Sequence, residues 1–125
     1  MIPILQTGVD MIEVDRIKDA IERHGVRFLK RIFTTKELAL FSDNIPSLAA
    51  RFAAKEAVAK ALGTGIGDVE WVDIEILRGP AKEPILYLHG EAARISDEKN
   101  YRSWSVSISH THEHAIAMVV AMRET

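Results

Sequence analysis

One stretch decides the fold: Arg51-Phe-Ala-Ala-Lys-Glu-Ala-Val-Ala-Lys-Ala-Leu-Gly63. Ala, Leu, Lys and Glu are among the strongest helix formers, and the stretch contains little else. Ser47, which follows Pro46, has a side chain suited to capping the start of a helix, and Gly63 is suited to ending one. The sequence therefore predicts a long helix from Ser47 to Leu62.

The predicted helix carries charge beside its apolar stripe. At 3.6 residues per turn, the stripe consists of Leu48, Phe52, Ala59 and Leu62, and the row beside it of Ala49, Ala53, Glu56 and Lys60. Because small side chains let a backbone or a ligand approach closely, Glu56 and Lys60 are candidates for the edge of a binding site. The alternative is an ordinary surface pair one turn apart, worth only about 0.2–0.5 kcal/mol.

Length and composition predict a single domain that covers residues 1–125. The chain is 47% hydrophobic and 27% charged, has a formal net charge of −2 and lacks cysteine, as is typical of a globular protein without disulfides. The apolar run at residues 1–5 is short and lacks the basic lead of a signal peptide, and no longer run could cross a bilayer. We therefore expect a cytoplasmic protein with no membrane partner and no nucleic-acid partner.

The positive charge is concentrated in one segment. Between residues 16 and 36 only Asp19 and Glu22 are acidic, whereas the basic residues are Arg16, Lys18, Arg23, His24, Arg27, Lys30, Arg31 and Lys36. A basic patch on a slightly acidic chain suggests an acidic partner.

The first half of the chain is typical of a strand followed by helices. Ile2 to Val9 is apolar enough for a buried strand, which would leave Asp10 at the strand end. Apolar residues three, four and seven apart predict a helix from Val14 to His24. Thr34 or Thr35 is expected to cap a short helix after it.

The second half changes its apolar period from 3.6 to 2. The predicted elements are strands at 72–77, 85–88, 104–109 and 114–122, a helix at 91–97 and a hairpin turn at 110–113. Helices followed mostly by strands predict an α+β fold, in which an antiparallel sheet packs against the long helix.

Two carboxylates, Asp10 and Glu56, are candidates for chemistry because each is expected at the edge of an element. Convergent carboxylates suit Mg²⁺, which takes oxygen ligands and often binds with a substrate phosphate. An Asp at a strand end also commonly caps a helix, so both interpretations stay open. The His110–His114 cluster lacks the helical spacing of a zinc site, and His110 is better placed to donate to a phosphate.

Four segments, taken together, resemble one known family. They are Gly8-Val-Asp10 with the following Arg16, Phe52-Ala-Ala-Lys55-Glu56-Ala-Val-Ala-Lys60, Ala61-Leu-Gly63-Thr-Gly65, and Ser107-Ile-Ser-His110. In order and spacing the chain resembles holo-acyl-carrier-protein synthase, the small bacterial class of 4'-phosphopantetheinyl transferase. The second segment is the specific one, with its aromatic-x-x-Lys-Glu-Ala/Ser-x-x-Lys pattern. The resemblance covers essentially the whole chain and implies the 4'-phosphopantetheinyl transferase fold.

The resemblance implies an activity and an assembly. The expected reaction transfers 4'-phosphopantetheine from coenzyme A to a serine of apo acyl carrier protein and releases adenosine 3',5'-bisphosphate. The product, holo acyl carrier protein, serves fatty-acid biosynthesis. The expected assembly is a homotrimer whose sites lie between neighbouring subunits.

The resemblance also implies roles for particular residues. Asp10 and Glu56 would hold Mg²⁺ against the pyrophosphate of coenzyme A, and Lys60 would stabilise the leaving group. The base that takes the serine proton stays open among Glu56, Lys60 and a metal-bound water. The residues expected to bind coenzyme A are Arg51, Lys60, Gly63 and His110, and those expected to bind the acidic carrier protein are Arg16 and Arg23.

Two alternatives remain from other functional classes. The first is a non-catalytic module that binds acyl carrier protein or a nucleotide through the basic helix, with Glu56 and Lys60 as a mere surface pair. The second is a Mg²⁺-dependent nucleotide hydrolase, although the carboxylate-rich helix usual for that class is missing.

Overall fold

The chain starts with a strand, continues through helices and ends mostly in strands. The computed structural model describes residues 2–124, so Met1 and Thr125 of the predicted domain lie outside the described residues. The helices are α1 (Val14–His24), α2 (Val26–Ile32), α3 (Thr35–Phe41), α4 (Ile45–Leu62) and α5 (Gly90–Glu98). The strands are β1 (Leu5–Glu13), β2 (Ile74–Arg78), β3 (Pro84–Leu88), β4 (Tyr101–His110) and β5 (His114–Arg123), and a 3-10 turn, Trp71–Asp73, precedes β2.

Helix α4 begins earlier than the sequence predicts. Asn44 Oδ1 accepts a hydrogen bond from the Ser47 amide at 3.0 Å, so the N-cap is Asn44 and the prediction of Ser47 is wrong. Pro46 lies in the first turn, where its missing N–H leaves no helical hydrogen bond unmade. Gly63 ends the helix in the left-handed conformation with φ of 80°, as predicted.

Helix α4 is buried on almost every side, not along a single stripe. Of its 18 residues, 12 are buried, and seven of these are alanine. The three-stranded sheet packs against one side of the helix, and α1, α3 and β2 pack against the others. The alanines therefore let neighbours approach the helix from several directions.

The main sheet is antiparallel, with strand order β1-β5-β4. Along the central strand β5, alternate residues face α4 and are fully buried, namely Ala115, Ala117, Val119 and Ala121. The prediction of an antiparallel sheet against the long helix in an α+β fold is thus confirmed. Strands β2 and β3 form a separate antiparallel hairpin.

Strand β1 differs from its prediction in place and in burial. It runs from Leu5 to Glu13, so Asp10 lies inside the strand, opposite Ala117, and not at its end. Leu5 and Val9 are exposed, so the expected buried strand at residues 2–9 is wrong. The physical reason is that β1 pairs with nearly the whole length of β5, and alternation then turns every second side chain away from α4.

The N-cap of the short helix α3 is Thr34, one of the two residues predicted for that position. The Thr34 side chain accepts from the Glu37 amide, and the Glu37 side chain accepts from the Thr34 amide, which is a complete capping box. Glu37 is fully buried, so it does more than complement the helix dipole. Among residues 2–124, every helix falls short of the combined length and apolarity needed to cross a bilayer.

Candidate active site

The site begins with a close approach between β1 and α4. A Cβ atom added to Gly8 would lie 1.9 Å from the carbonyl oxygen of Ala57, so only glycine lets the strand backbone touch the helix backbone there. Asp10 follows Gly8 by two residues and shares its face of the strand, whereas Glu56 directly precedes Ala57. The contact therefore brings the two predicted carboxylates to the same place.

Lys60 joins them from one turn further along α4. Its Nζ donates to Asp10 Oδ1 at 3.1 Å and to the Val9 carbonyl at 3.0 Å. The Asp10 side chain is 19% exposed and that of Lys60 is 53% exposed, so the cluster opens to solvent on the lysine side. Asp10, Glu56 and Lys60 thus form one cluster at the junction of β1 and α4.

The pKa of Glu56 is shifted by burial and by the neighbouring charges. Burial raises the pKa of Glu56, the nearby Asp10 carboxylate raises it further, and Lys60 and Arg16 oppose the shift. Two carboxylates close enough to repel each other are an arrangement that a divalent cation relieves. Because Arg16 opposes the shift in the pKa of Glu56, Arg16, at the start of α1, lies within electrostatic range of the cluster.

The donor set fits a magnesium ion that arrives with a phosphate ligand. Both expected donors are carboxylate oxygens, which Mg²⁺ prefers, and Mg²⁺ commonly uses one or two protein carboxylates together with substrate phosphate oxygens. Within residues 2–124 no group of three or more His, Cys, Asp or Glu side chains could hold a metal by itself. The remaining coordination positions would then belong to substrate and water.

His110 lies on the same face of the sheet as Asp10 but apart from it. It pairs with Ala115, and Ala115 pairs with Ile12 on β1, so β5 separates His110 from the cluster. Two strand spacings correspond to roughly 10 Å. Within the described part of the chain, His110 makes no hydrogen bond to Asp10, Glu56 or Lys60, so one subunit does not bring it to them.

Arg51 lies on another side of α4, about 140° around the axis from Glu56. It is buried, and its guanidinium carbon lies 3.7 Å from the centre of the Phe41 ring. Burial lowers the pKa of Arg51 to about 10, against the opposing effect of Glu37. Among residues 2–124 its Nε has no hydrogen-bond partner. Arg51 is therefore not part of the cluster within one chain.

Gly63 lies just beyond Lys60, at the C-cap of α4. Its amide donates to the carbonyls of Ala59 and Lys60, so this N–H is already used within the chain. A Cβ atom at Gly63 would lie 3.2 Å from Lys99 Nζ, and that ammonium in turn donates to the Leu62 carbonyl. The Lys99 side chain therefore lies close against Gly63 at the helix end.

Arg16 and Arg23 lie on one face of α1, because seven residues are almost two full turns. Both are exposed. Beside them α2 and α4 enclose a cavity of about 490 Å³ with a basic rim and an aromatic floor, lined by His24, Arg27, Phe28, Arg31, Ile32, Phe52 and Trp71. The rings of Phe52 and Trp71 stack with centroids 4.5 Å apart.

The sequence interpretation missed this cavity, although a signal for it exists. Arg27 and Arg31 are four residues apart, which is the spacing of neighbours on one helix face. Phe28 lies next to Arg27 in the same short helix. The pattern is that of a helix with a basic row beside an aromatic residue, and it predicts a surface with both charge and apolar area.

The sequence interpretation also missed Lys55. Its side chain is fully buried and pairs with Glu37, with Nζ 2.8 Å from Glu37 Oε1. Burial lowers the pKa of Lys55, and the Glu37 carboxylate opposes that shift. The available signal is spacing: Lys55 is seven residues from both Leu48 and Leu62, so it falls inside the predicted buried stripe.

Comparisons with known proteins identify the family of the chain. The sequence model of the 4'-phosphopantetheinyl transferase superfamily matches residues 6–119. Holo-acyl-carrier-protein synthase of Dehalococcoides mccartyi is 51% identical over 118 residues, which cover 94% of this chain and 98% of the relative. That of Herpetosiphon aurantiacus is 47% identical over 126 residues, which cover 95% and 99%.

A solved structure shows the same architecture. The crystal structure of Helicobacter pylori holo-acyl-carrier-protein synthase, in complex with coenzyme A, matches with a TM-score of 0.84 and 38% sequence identity. The match covers 92% of this chain and 98% of the Helicobacter chain. The chain therefore belongs to the holo-acyl-carrier-protein synthase family, within the 4'-phosphopantetheinyl transferase superfamily.

Proposed function

We propose that this chain transfers 4'-phosphopantetheine from coenzyme A to a serine hydroxyl of apo acyl carrier protein, releasing adenosine 3',5'-bisphosphate. The observation that carries the proposal is the cluster of Asp10, Glu56 and Lys60 in a member of this family. A related chain, the Helicobacter pylori enzyme, was solved in complex with coenzyme A. We also propose the cytoplasm as the location.

Asp10 and Glu56 would hold Mg²⁺ at the mouth of the cluster. When bound, the ion supplies positive charge that neutralises the pyrophosphate of coenzyme A, whose negative charge would otherwise repel the attacking oxygen. The two carboxylates come from different elements, so the β1–α4 contact sets the spacing between them. Within the described chain neither carboxylate pairs with an arginine, and Asp10 would exchange the Lys60 ammonium for the metal ion.

Lys60 would stabilise the leaving group. The Lys60 side chain is 53% exposed, so the ammonium can exchange Asp10 for a phosphate oxygen of coenzyme A without moving the helix. A positive charge at this place stabilises the bisphosphate as the bond to phosphorus breaks.

Glu56 is the better-supported base for the serine proton. In the free chain the Lys60 ammonium is engaged as a hydrogen-bond donor to two oxygens. In the metal-free chain the pKa of Glu56 is raised, first by burial, which brings its carboxylate closer to the range in which a general base is effective. The serine would have to approach on the open side of the cluster.

The homotrimer is proposed from an exposed apolar surface. The face of β1 and β5 that points away from α4 carries six large apolar side chains, each at least 42% exposed, namely Leu5, Val9, Met11, Ile116, Met118 and Met122. Contiguous exposed apolar area of this kind marks an interface. In a cyclic trimer this surface would be covered, and the sites would lie between neighbouring subunits.

Such an assembly would give His110 a role. Since β5 separates His110 from Asp10 within one chain, His110 would donate to a coenzyme A phosphate bound at the cluster of a neighbouring subunit. Arg51 is proposed as a second phosphate ligand because its buried Nε lacks a partner within residues 2–124. Gly63 is proposed to contact coenzyme A at the end of α4, where the Lys99 ammonium would have to move aside.

The acidic carrier protein would dock on α1 through Arg16 and Arg23. Arg16 lies close enough to the cluster to act on Glu56, so docking there would bring the carrier serine near the reacting phosphate. The neighbouring cavity, with its basic rim and aromatic floor, would receive an apolar side chain of the carrier.

Intact-mass spectrometry tests the proposed reaction. Apo acyl carrier protein is incubated with this protein, coenzyme A and Mg²⁺, with a chelator as control. The expected result is a chelator-sensitive mass gain of one phosphopantetheine group on the carrier, lost in Glu56→Gln. Carrier binding without any mass gain would support the non-catalytic module, and bisphosphate release without carrier modification would support a hydrolase.

A further inference from the structure

Lys55 is a lysine in the middle of α4 whose ammonium reaches three oxygens. Its Nζ donates to Glu37 Oε1 at 2.8 Å, to the Trp71 carbonyl at 3.1 Å and to the Ile74 carbonyl. An ammonium has three protons, so this donor capacity is fully used. The acceptors belong to α3, the 3-10 turn and β2, so one side chain ties α4 to three other elements.

Both carboxylate oxygens of Glu37 also accept hydrogen bonds. Its Oε1 also accepts from the Thr34 amide at 2.9 Å, and its Oε2 accepts from the Ile76 amide at 2.9 Å. The hydroxyl of Thr34 extends the network by donating to Glu75 Oε2 at 2.5 Å. Both side chains are 0% exposed, and their hydrogen-bonding atoms have partners. The pair is therefore held in a single geometry.

Stability alone is a weak reason for such a pair. Removing two charges from water is costly, and apolar side chains of similar volume often stabilise a fold as well or better. What the pair supplies beyond them is direction, because three directed hydrogen bonds fix how far α4 is rotated about its own axis.

That rotation matters for the cluster on the other side of the helix. Glu56 lies about 100° around α4 from Lys55, and Ala57, which touches Gly8, lies about 160° away on the far side. The helix is therefore held between the Lys55 bonds and the β1 backbone. At a side-chain radius of about 5–6 Å, a rotation of about 20° would move the Glu56 carboxylate by about 2 Å.

We propose that the Lys55–Glu37 pair is the positioning device of the active site: it sets the rotation of α4 and thereby the distance between the carboxylates of Asp10 and Glu56. Neither Lys55 nor Glu37 reaches the cluster, so both are positioning residues and not catalytic ones. The inference rests on the proposed function, because it concerns the two carboxylates assigned to the metal.

The double variant Lys55→Met/Glu37→Gln tests the proposal. It removes both buried charges together, and the glutamine oxygen can still accept from a backbone amide. Mn²⁺ affinity is measured without coenzyme A from the electron paramagnetic resonance signal of free Mn²⁺, together with kcat, the KM for the carrier protein and the thermal midpoint. We expect Mn²⁺ affinity and kcat to fall about 10- to 100-fold each in fully folded protein, with the carrier KM unchanged.

A matched control makes the same chemical change elsewhere. Arg94→Met/Glu98→Gln removes an exposed ion pair on α5, where Arg94 is 59% exposed. We expect Mn²⁺ affinity, kcat and carrier KM to stay at their wild-type values in this variant. A loss equal to that of the buried double variant would overturn the proposal, because charge removal anywhere would then produce the effect.

A second variant keeps the proposal testable if the first does not fold. Glu37→Asp keeps an anion opposite Lys55 but shortens its reach, so we expect folded protein with weaker Mn²⁺ binding and a lower kcat. Wild-type Mn²⁺ affinity in either folded variant overturns the proposal. Failure of both variants to fold also overturns it, since the pair would then act on folding alone. If the unaltered chain neither binds Mn²⁺ nor modifies the carrier, the proposed function fails first.

Discussion

Lys60 Nζ lies 3.1 Å from Asp10 Oδ1, so an ammonium of α4 neutralises the strand carboxylate that is proposed to bind the metal. The contact links residues 50 positions apart in sequence. In the free chain Lys60 therefore occupies the charge position that a divalent cation would take.

Replacing Lys60 should separate metal binding from transfer. In Lys60→Met the competing cation is gone, so we expect Mn²⁺ to bind roughly fivefold more tightly without coenzyme A, since two unit charges about 4 Å apart in water interact by about 1 kcal/mol. Transfer should nevertheless slow by at least about tenfold, because the leaving group loses its cation. Free Mn²⁺ by electron paramagnetic resonance and the carrier modification rate measure the two effects; unchanged Mn²⁺ affinity would contradict the competition.

Glu56 should weaken the metal-free fold at neutral pH. Its pKa is raised in the folded chain, first by burial and then by Asp10, so folding disfavours its ionised form. The destabilisation is fully present above the raised pKa and disappears as the pH falls below the ordinary value of a glutamate. We therefore expect Glu56→Gln to raise the thermal midpoint of metal-free protein at pH 7 and to have no such effect near pH 3. The exposed Glu113→Gln is the control; a lower midpoint for Glu56→Gln at pH 7 would refute this account.

Gly8 should tolerate no side chain. In Gly8→Ala the new methyl group would meet the Ala57 carbonyl at 1.9 Å, so strand and helix must separate. We expect a loss of about 1–3 kcal/mol in the free energy of unfolding, as for other overpacked sites. Mn²⁺ affinity should fall with it, because Asp10 moves away from Glu56. Chemical denaturation and Mn²⁺ titration check both effects, with Thr7→Ala on the opposite face of β1 as the control.

Arg16 and Arg23 should affect docking in a salt-dependent way. We expect Arg16→Ala and Arg23→Ala to raise the KM for the carrier protein about tenfold at low ionic strength and much less at high ionic strength, because salt screens exposed charges. Lys18→Ala provides a matched control, since Lys18 lies on the other side of α1, about 160° from Arg16. If the KM rises equally at both ionic strengths, or equally for Lys18→Ala, electrostatic docking through this face is wrong.

A charge on the outer face of the sheet should break the proposed trimer. Met118→Lys adds an ammonium to the centre of the exposed apolar surface, so we expect monomers by sedimentation velocity and loss of carrier modification. Leu40→Lys is the control, because Leu40 is an exposed apolar residue on α3, away from that face. A Met118→Lys protein that sediments like the unaltered chain would remove the basis for the trimer.

The features predicted well are those that local sequence determines. Helix α1 and the end of α4 follow from apolar spacing and from Gly63, which act within a few residues. The start of α4 was misplaced because Asn44 and Ser47 are both good capping residues, and only the backbone conformation decides between them.

The features that were missed depend on partners distant in sequence. The extent of β1 is set by its pairing with β5, more than 100 residues away in sequence. The charge of Lys55 is compensated by Glu37 on another helix, which no periodicity within α4 reveals. The separation of His110 from Asp10 likewise follows from strand order, since β5 lies between them. The carboxylate pair itself was anticipated, but its spacing depends on the contact at Gly8.

Because Trp71 stacks on Phe52 in the cavity, its intrinsic fluorescence can report binding at that cavity. Trp71 lines the cavity beside the basic face of α1, whereas Trp104, the other tryptophan, lies elsewhere and donates its indole N–H to Ser96 Oγ at 3.2 Å. With Trp104→Phe, all indole fluorescence would come from the cavity floor. Its emission would then shift as a partner excludes water there, so carrier association could be followed in real time without any label.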